Sequence, residues 1–360
     1  MRVDVVDPSA YTPPYDHALA AALAGAGADV RLVTSRFAHG DVARGTGYAV
    51  DERFYRRVPG GRLRVPAKLA RHVPDMLATA RAARGADVVH FQWLAVQPVD
   101  ALLLRAFPRP LVLTAHDVVP REPRPGQRAA QRRLYERVDA VVVHSAHGRG
   151  RLVDGLGLPP DKVEVIPHGV LRPPGDGGLP AELAAVDGPV VLFFGLLRPY
   201  KGLDVLLEAW RGIAGAELWI VGMPRMDTAP LRAMAPPGVR FVERFVPDAQ
   251  VGALFGRADV AVLPYREIDQ SGVLFTALGA GTPLVLSAVG GFPEVAAEGA
   301  AELVPPGDPA ALREALVRLL GDPVARERLA AGARRAAAER YAWDAIAKRH
   351  LELYARLGAA

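Results

Sequence analysis

Two cations in a short glycine-containing turn are the residues whose types and spacing most clearly predict a chemistry. The turn runs from Gly195 to Lys201 and carries Arg198 between a buried apolar strand and an amphipathic helix pattern. An arginine holds a phosphate through its planar fork, and a lysine holds one as a point charge. Because open α/β sheets bind ligands at the carboxyl ends of strands, the turn predicts a diphosphate pocket. Ordinary surface cations of a solvated loop have the same spacing.

A second turn of this kind follows the apolar run from Val260 to Leu263. Glu267 precedes this turn, and Ser271 and Gly272 lie near the start of the next helix pattern. The exposed amides of a first helical turn and the helix dipole attract an anion. The turn therefore predicts the other side of the diphosphate site, with Glu267 and Asp269 accepting hydrogen bonds from hydroxyls. Asp269 or Ser271 can equally serve as the helix N-cap.

The elements that must position these turns are short apolar strands alternating with helical stretches, a pattern typical of parallel sheets flanked by helices. A linker rich in proline and glycine at 171–180 separates two such domains, 1–170 and 171–339. Helices are predicted over 16–26, 66–84 and the tail, where an apolar stripe from Trp343 to Leu357 must pack against something. The predicted strands are Val3 to Val6, Val30 to Thr34, Val88 to Phe91, Leu111 to Thr114, Ala140 to Val143, Val163 to Ile166, Val190 to Phe194, Glu217 to Val221, Val239 to Val242, Val260 to Leu263, Leu284 to Ser287 and Ala301 to Val304.

Composition limits the class of protein. Among the 360 residues 50% are hydrophobic, and the chain has no cysteine, which excludes disulfides, thiolate metal sites and cysteine nucleophiles. The amino terminus lacks the basic and apolar regions of a signal peptide. No apolar run approaches the roughly 20 residues of a membrane span. These features predict a cytoplasmic protein.

The net charge of +5, from 44 basic and 39 acidic residues, is unevenly distributed. Segment 53–71 contains no acid. It predicts peripheral contact with the anionic inner face of a membrane, binding of an acidic acceptor, or a solvated loop and helix face. No nucleic-acid-binding motif accompanies it, so no nucleic-acid partner is expected. The segment contains Arg53, Arg56, Arg57, Arg62, Arg64, Lys68 and Arg71, interleaved with Phe54, Tyr55, Leu63, Val65 and Leu69.

The order of the motifs resembles that of glycosyltransferase family 4, whose members are retaining enzymes of the GT-B fold. The resemblance spans almost the whole chain. It rests on Pro8 to His17, His116 with Asp117, Pro167 to Gly169, Gly195 to Lys201, Pro264 to Leu274, Ala280 to Pro283 and Gly290 to Glu294.

This resemblance implies two facing Rossmann-like domains with an active site in the cleft, and a last helix over 340–360 that crosses back to the first domain. It also implies a nucleotide sugar held mainly by the second domain, with His116 beside the donor sugar, positioning it or the attacking oxygen. Arg198, Lys201 and the amides of Val273 and Leu274 would hold the diphosphate. The implied catalytic residues are His116, Arg198, Lys201 and Glu267, and the implied donor-binding residues are Gly195, Arg198, Lys201, Glu267, Asp269, Gln270, Ser271, Gly272, Val273, Leu274 and Thr276.

Two positions depart from the family pattern. Thr276 stands where the family carries a second glutamate that holds the ribose. The amino-terminal loop is usually rich in glycine, but here it is stiff and leaves Tyr11, Tyr15 and Asp16 on the acceptor side. His90, His144, His147 and His168 also lie near strand ends and are predicted to be structural.

The sequence thus predicts retaining transfer of a sugar from a UDP or GDP donor to an acceptor hydroxyl, in a bacterial pathway to a polysaccharide, glycolipid or small metabolite. No Asp-X-Asp pair occurs at either cleft loop, so neither a metal nor another cofactor is expected, and cations with a helix terminus would stabilise the departing diphosphate. A sugar-nucleotide epimerase of the same fold and a non-catalytic sugar-nucleotide binder remain alternatives.

Overall fold

The computed structural model describes residues 1–37, 40, 42, 44–56, 58, 64–94, 96–118, 125–183 and 186–358. The chain divides into two compact units, Met1–Gly169 with Trp343–Ala360 and Val170–Ala342. Each unit contains one parallel sheet flanked by helices. Residues 57 and 59–63 of the basic segment, which include Arg57, Arg62 and Leu63, lie outside the described residues.

The first unit is built on a parallel sheet of order β3-β2-β1-β4-β5-β6-β7. The strand order reverses between β1 and β4, where doubly wound sheets open a ligand-binding crevice. The strands are β1 (Arg2–Asp7), β2 (Asp29–Ser35), β3 (Ala49–Phe54), β4 (Val88–Phe91), β5 (Leu111–Thr114), β6 (Ala140–Val143) and β7 (Val163–Val165). The helices are α1 (Pro13–Gly25), α2 (Arg64–Ala82), α3 (Gln97–Leu103), α4 (Gln127–Arg137), α5 (Ala146–Leu156) and, at the end of the chain, α13 (Trp343–Gly358).

The strand β3 was not predicted from the sequence. Its six residues include the charged Asp51, Glu52 and Arg53, so the apolar run that marks the other strands is absent. β3 lies at the edge of the sheet and pairs only with β2. Charged side chains on an edge strand prevent its unpaired side from pairing with another strand. The predicted loop at Arg53 and Phe54 is therefore wrong, since both belong to this edge strand.

The second unit contains a parallel sheet of order β10-β9-β8-β11-β12-β13, with its reversal between β8 and β11. All its strands have the predicted bounds. They are β8 (Val190–Phe194), β9 (Glu217–Val221), β10 (Val239–Val242), β11 (Val260–Leu263), β12 (Leu284–Ser287) and β13 (Ala301–Val304). The helices are α6 (Leu203–Trp210), α7 (Ala229–Met234), α8 (Asp248–Arg257), α9 (Gly272–Ala280), α10 (Phe292–Ala296), α11 (Pro309–Gly321) and α12 (Pro323–Ala338).

The terminal helix α13 belongs to the first unit although it follows the second in sequence. Its apolar stripe buries Ile346, Ala347 and Tyr354 in the same core cluster as Leu19 of α1. The Tyr354 hydroxyl lies 2.6 Å from His90 Nδ1, so the stripe also satisfies a buried polar group. Full burial of a large apolar side chain contributes roughly 1.5–3 kcal/mol, which fixes this helix on its unit.

Within the part of the chain that the structure describes, every helix is too short or too polar to cross a membrane.

Candidate functional site

In the second unit, the cationic turn follows β8 directly, at the point where the strand order reverses. The Arg198 side chain is partly buried and has neither a carboxylate nor another hydrogen-bond partner among the described residues. A cation without a counterion at the carboxyl end of a strand is available to bind an anion. The structure thus places Arg198 where the sequence predicted a phosphate ligand.

Lys201 of the same turn is only 6% exposed. Its ammonium lies 4.9 Å from the ring centre of Tyr265 and 5.9 Å from that of Phe193, which are cation–π distances. A Cβ built on Gly195 would lie 2.9 Å from Lys201 Nζ, so the turn folds closely around the ammonium. The aromatic rings stabilise the buried ammonium of Lys201, whereas the Arg198 side chain is only half-buried.

The loop after β11 is fastened to the cationic turn by Arg266, a residue that the sequence analysis did not single out. The Arg266 amide donates to the Tyr200 carbonyl at 2.8 Å, and its guanidinium makes two hydrogen bonds of 2.8 and 2.5 Å with Asp204. The neighbouring Glu267 carboxylate is exposed and has no partner among the residues described. A charged carboxylate beside a cationic turn is suited to accept hydrogen bonds from a sugar.

Close backbone approach brings the loops of this unit together at the carboxyl ends of its strands. A Cβ on Gly202 would lie 2.0 Å from the Pro264 carbonyl oxygen, and one on Gly290 would lie 1.9 Å from that of Ile268. Both residues have positive φ, of 67° and 56°. Only glycine combines this conformation with such contacts. Gly202 and Gly290 therefore allow the loops after β8, β11 and β12 to pack closely against one another.

The start of α9 offers backbone amides, although not the pair that the sequence implied. The Leu274 amide already donates to the Ser271 carbonyl at 3.1 Å, which corrects its expected role as a diphosphate ligand. The amides of Gly272 and Val273 have no acceptor among the described residues. Ser271 is the N-cap by position, yet its side chain makes no capping hydrogen bond. The first-turn amides of α9 are thus open to an anion at Gly272 and Val273.

Three further residues of the predicted donor site have internal contacts. The Thr276 hydroxyl donates to the Gly272 carbonyl at 3.1 Å and is buried, so it is not presented as a ribose ligand in this structure. The Gln270 side-chain oxygen accepts from the Ser271 amide at 3.1 Å. Asp269 is buried, and its carbonyl accepts from the Gly291 amide at 3.2 Å. These groups shape the loop.

In the first unit, two of the three residues expected on the acceptor side are buried. Tyr15 and Asp16 are each 1% exposed, so neither side chain is accessible from solvent in this structure. They lie in the first turn of α1, which packs on the sheet. Tyr11 is exposed, and its ring lies 4.4 Å from that of Trp93, which follows β4. Tyr11 and Trp93 therefore form the accessible aromatic surface at this end of the sheet.

Asp7 and Asp16 form a buried carboxyl pair beneath that surface. Asp7 accepts hydrogen bonds from the amides of Ser9 at 3.0 Å, Tyr11 at 2.6 Å and Thr12 at 3.4 Å. Burial raises the pKa of both groups, and the charge of Asp7 raises the pKa of Asp16 further. Because the amides favour a charged Asp7, the shared proton belongs on Asp16. This pair, rather than glycine, fixes the amino-terminal loop.

Replacing Asp16 with asparagine should make the protein more stable than the wild type as pH rises. The folded protein keeps a proton on Asp16 that the unfolded chain loses above the ordinary pKa of 3.8, so this group loses stabilising effect with increasing pH. An amide carries no such proton. We expect the midpoint of thermal unfolding of Asp16→Asn to exceed that of the wild type by roughly 2–4 °C near neutral pH and by less near pH 4. Asp161→Asn, at an exposed position, serves as control, and a pH-independent loss of stability in Asp16→Asn would contradict the proton assignment.

His116 follows β5 and is surrounded by groups of its own unit. The Trp93 ring stacks on it at 5.2 Å, and the edge of Tyr15 lies at 4.8 Å. His116 Nδ1 lies 3.3 Å from His144 Nε2, and His116 Nε2 lies 3.2 Å from Gln92 Oε1. Burial and the neighbouring histidines lower the pKa of His116 well below its ordinary value. His116 is therefore neutral, a state suited to positioning a hydroxyl.

Three of the four histidines that were predicted to be structural, His90, His144 and His168, make hydrogen bonds within the first unit. His90 Nε2 lies 2.8 Å from the Thr114 hydroxyl, and His168 Nδ1 donates to the Gly169 carbonyl at 2.6 Å. Sequence reasoning missed Gln92 and Trp93, which directly follow β4 at the strand-order reversal. A polar and an aromatic residue immediately after a buried strand would have been the signal.

The basic segment is less positive than its sequence indicates. Arg53 pairs with Asp51, and Arg71 lies 3.0 Å from Asp75, acids just outside the segment at either end. In α2, however, Val65, Leu69 and Val73 are exposed and share one face at spacings of four residues. The exposed face of α2 therefore combines an apolar ridge with the exposed cation Arg64, beside the half-buried Lys68, whose ammonium lies 4.8 Å from the centre of the Tyr55 ring.

Comparison with known proteins identifies related sequences over both units. Residues 15–171 match the model of glycosyltransferase family 4, and residues 188–322 match the model of glycosyl transferases group 1. A D-inositol 3-phosphate glycosyltransferase from Frankia alni is 30% identical over 301 residues, which cover 74% of each chain. The relationship extends over most of both proteins.

Solved structures share the fold. Sucrose-phosphate synthase from Thermosynechococcus elongatus aligns with a TM-score of 0.80 at 22% identity, over 100% of this chain and 99% of that one. The complex of Anabaena HepE with UDP-glucose aligns with a TM-score of 0.75 at 18% identity, over 99% of this chain and 100% of that one. The predicted fold class, two parallel-sheet units flanked by helices, is confirmed.

Proposed function

Because the chain belongs to glycosyltransferase family 4 and is a glycosyltransferase of the GT-B type, we propose that it transfers a sugar from a nucleoside diphosphate to an acceptor hydroxyl with retention. The carrying observation is the cationic turn after β8, where Arg198 has no counterion among the described residues and Lys201 is buried. Two fixed cations at a strand-order reversal suit a diphosphate. The open amides of Gly272 and Val273 supply further donors for the same group.

Charge stabilisation of the leaving diphosphate is the chemistry that these groups can provide. As the bond to the sugar breaks, negative charge grows on the diphosphate. Preorganised cations therefore stabilise the transition state more than they stabilise the bound donor, and this difference lowers the barrier. Arg198, Lys201 and the α9 amides would perform this role without a metal. In the first unit, neutral His116 would position a substrate hydroxyl.

The donor and acceptor to assay first follow from the related proteins. The Anabaena structure contains UDP-glucose, and the relative from Frankia alni is named for inositol 3-phosphate. We therefore propose UDP sugars as donors and phosphorylated polyols as the first acceptors.

A thermal-shift screen of UDP, GDP, ADP and dTDP sugars tests the donor proposal. A ligand present at 100 times its dissociation constant stabilises the folded state by about 2.7 kcal/mol, a shift of several degrees for a domain of this size. We expect the UDP sugars to raise the unfolding midpoint in the wild type and to raise it less in Arg198→Ala. If no nucleotide sugar shifts the wild-type midpoint at millimolar concentration, a nucleotide-sugar donor is ruled out for this site.

Product analysis with the stabilising donor tests the reaction. We expect a glycoside with the anomeric configuration of the donor, formed equally with and without EDTA. An inverted product would refute retention, and activity lost with EDTA would refute metal independence. Conversion of the donor into an epimer without added acceptor would instead establish the epimerase alternative.

We further propose that the exposed face of α2 contacts an anionic membrane surface. Val65, Leu69 and Val73 would enter the lipid interface while Arg64 and Lys68 attract the head groups, each cation contributing about 1 kcal/mol. This arrangement would place a lipid-linked acceptor near the first unit.

Vesicle sedimentation tests the membrane proposal. We expect binding to vesicles rich in phosphatidylglycerol, weak binding to phosphatidylcholine, and at least about 10-fold weaker binding for Leu69→Asp, which buries a charge instead of an apolar side chain. Val324→Asp is the matched control, since Val324 is an exposed valine of the second unit. Equal binding of the two variants would refute the role of α2.

A further inference from the structure

The hydrogen bonds of His144 determine where its proton lies. His144 Nδ1 lies 3.0 Å from the Ile166 carbonyl oxygen, which can only accept, so Nδ1 carries the hydrogen. The side chain is 7% exposed, and burial lowers its pKa to about 4. His144 is therefore neutral, and its Nε2 presents a lone pair.

That lone pair determines the tautomer of His116. His144 Nε2 lies 3.3 Å from His116 Nδ1, so His116 must donate from Nδ1. Because His116 is also neutral, its Nε2 carries no hydrogen and acts as an acceptor.

Gln92 provides an independent observation that supports the same assignment. Its Oε1 lies 3.2 Å from His116 Nε2. Since both atoms would then be acceptors, they could not form a hydrogen bond with each other. The Gln92 Nε2 group is buried and without a partner among the described residues. Rotating the amide by half a turn places the NH₂ group against His116 Nε2 and satisfies both groups, an exchange of atoms that the shape of an amide permits. The buried carbonyl oxygen left behind is the less costly group to leave unpaired.

We propose that His144 and Gln92 are positioning residues that hold His116 as the Nδ1–H tautomer, so that Nε2 meets a substrate hydroxyl only as a hydrogen-bond acceptor. The hydrogen bonds run in one direction, from Gln92 to His116, to His144 and to the Ile166 carbonyl. His116 then binds a free hydroxyl of the substrate in place of Gln92 and cannot donate a proton from Nε2. The identity of that substrate rests on the proposed function, whereas the tautomer does not.

Nitrogen NMR of protein labelled with ¹⁵N-histidine tests the assignment without any substrate. The His116 signals are identified by their loss in His116→Gln. We expect a protonated Nδ1 and an unprotonated Nε2 in the wild type. In His144→Phe the acceptor is lost, and the proton should move to Nε2, where the Gln92 carbonyl accepts it. His144→Gln retains an acceptor and a donor and should keep the wild-type tautomer, as should His147→Phe, whose residue is exposed.

A protonated Nε2 in the wild type, or an unchanged tautomer in His144→Phe, would overturn the proposal. If His144→Phe does not fold, Gln92→Glu replaces it, because a carboxylate only accepts and should add a proton at Nε2 while His144 keeps the proton on Nδ1. An Nδ1 without a proton in this variant would also overturn the proposal. In the transfer assay His144→Phe should lower kcat/KM by about 10-fold, and His144→Gln should restore it. The expected tautomer in a protein that transfers no sugar would refute the proposed function alone.

Discussion

Arg198→Ala is expected to lower kcat/KM for the nucleotide-sugar donor by about 10²–10³-fold, with most of the loss in kcat. The Arg198 guanidinium is partly buried after β8 and has no counterion among the described residues, so its charge is available to the departing diphosphate. Removing a preorganised donor raises the barrier because the leaving group carries more charge in the transition state than in the bound donor. Steady-state kinetics with the donor found by the thermal screen measure the effect.

Two further variants make this result specific. Arg198→Lys keeps the charge but loses the planar fork, so an intermediate loss is expected. Arg211→Ala removes an exposed arginine of the same unit that pairs with Glu208 at 3.2 Å, and it should leave kcat/KM unchanged. Near wild-type turnover of Arg198→Ala would remove this residue from the site. Lys201 is a poorer test because it is buried against Tyr265 and its loss also disturbs packing.

The strands of the second unit could be predicted to the residue because their pattern is simple. The inner strands β8, β11 and β12 are short apolar runs, which burial on both faces of a parallel sheet favours. The edge strands β10 and β13 each contain one charged residue within an otherwise apolar run. The positions of Arg198 and Glu267 followed from the same pattern, since both residues lie in the loop that follows such a strand. Local sequence therefore determined which side chains lie at the carboxyl end of this sheet.

What could not be predicted depends on tertiary contacts. Edge strand β3 is charged because only one of its sides pairs, a property of the sheet and not of the segment. Tyr15 and Asp16 are buried because Asp7 draws the amino-terminal loop onto β1 through three amide hydrogen bonds. Arg266, in the loop after β11, pairs with Asp204 of α6, which is 62 residues away along the chain, and nothing local indicates that contact.

Glu267→Ala is expected to lower kcat/KM by about 10²-fold by removing a charged acceptor for sugar hydroxyls. The Glu267 carboxylate is exposed after β11, has no partner among the described residues, and follows Arg266, whose amide and side chain fix the local backbone. A hydrogen bond to a carboxylate is roughly twice as strong as one between neutral groups, so Glu267→Gln should lose less. Glu208→Ala, at an exposed glutamate of α6, should have no effect.

Deoxy donors distinguish a hydrogen bond from a general effect of the Glu267 charge. If the carboxylate accepts a hydrogen bond from one sugar hydroxyl, the wild type should react more slowly with the donor lacking that hydroxyl than with the complete donor. Glu267→Ala should react with both donors at the same rate, since it has already lost the interaction. The difference between the two ratios is the coupling energy of the pair. Donors with each hydroxyl removed in turn would identify the one that Glu267 binds. If every deoxy donor is impaired to the same extent in both proteins, Glu267 does not contact the sugar, and its carboxylate acts on the diphosphate turn through charge alone.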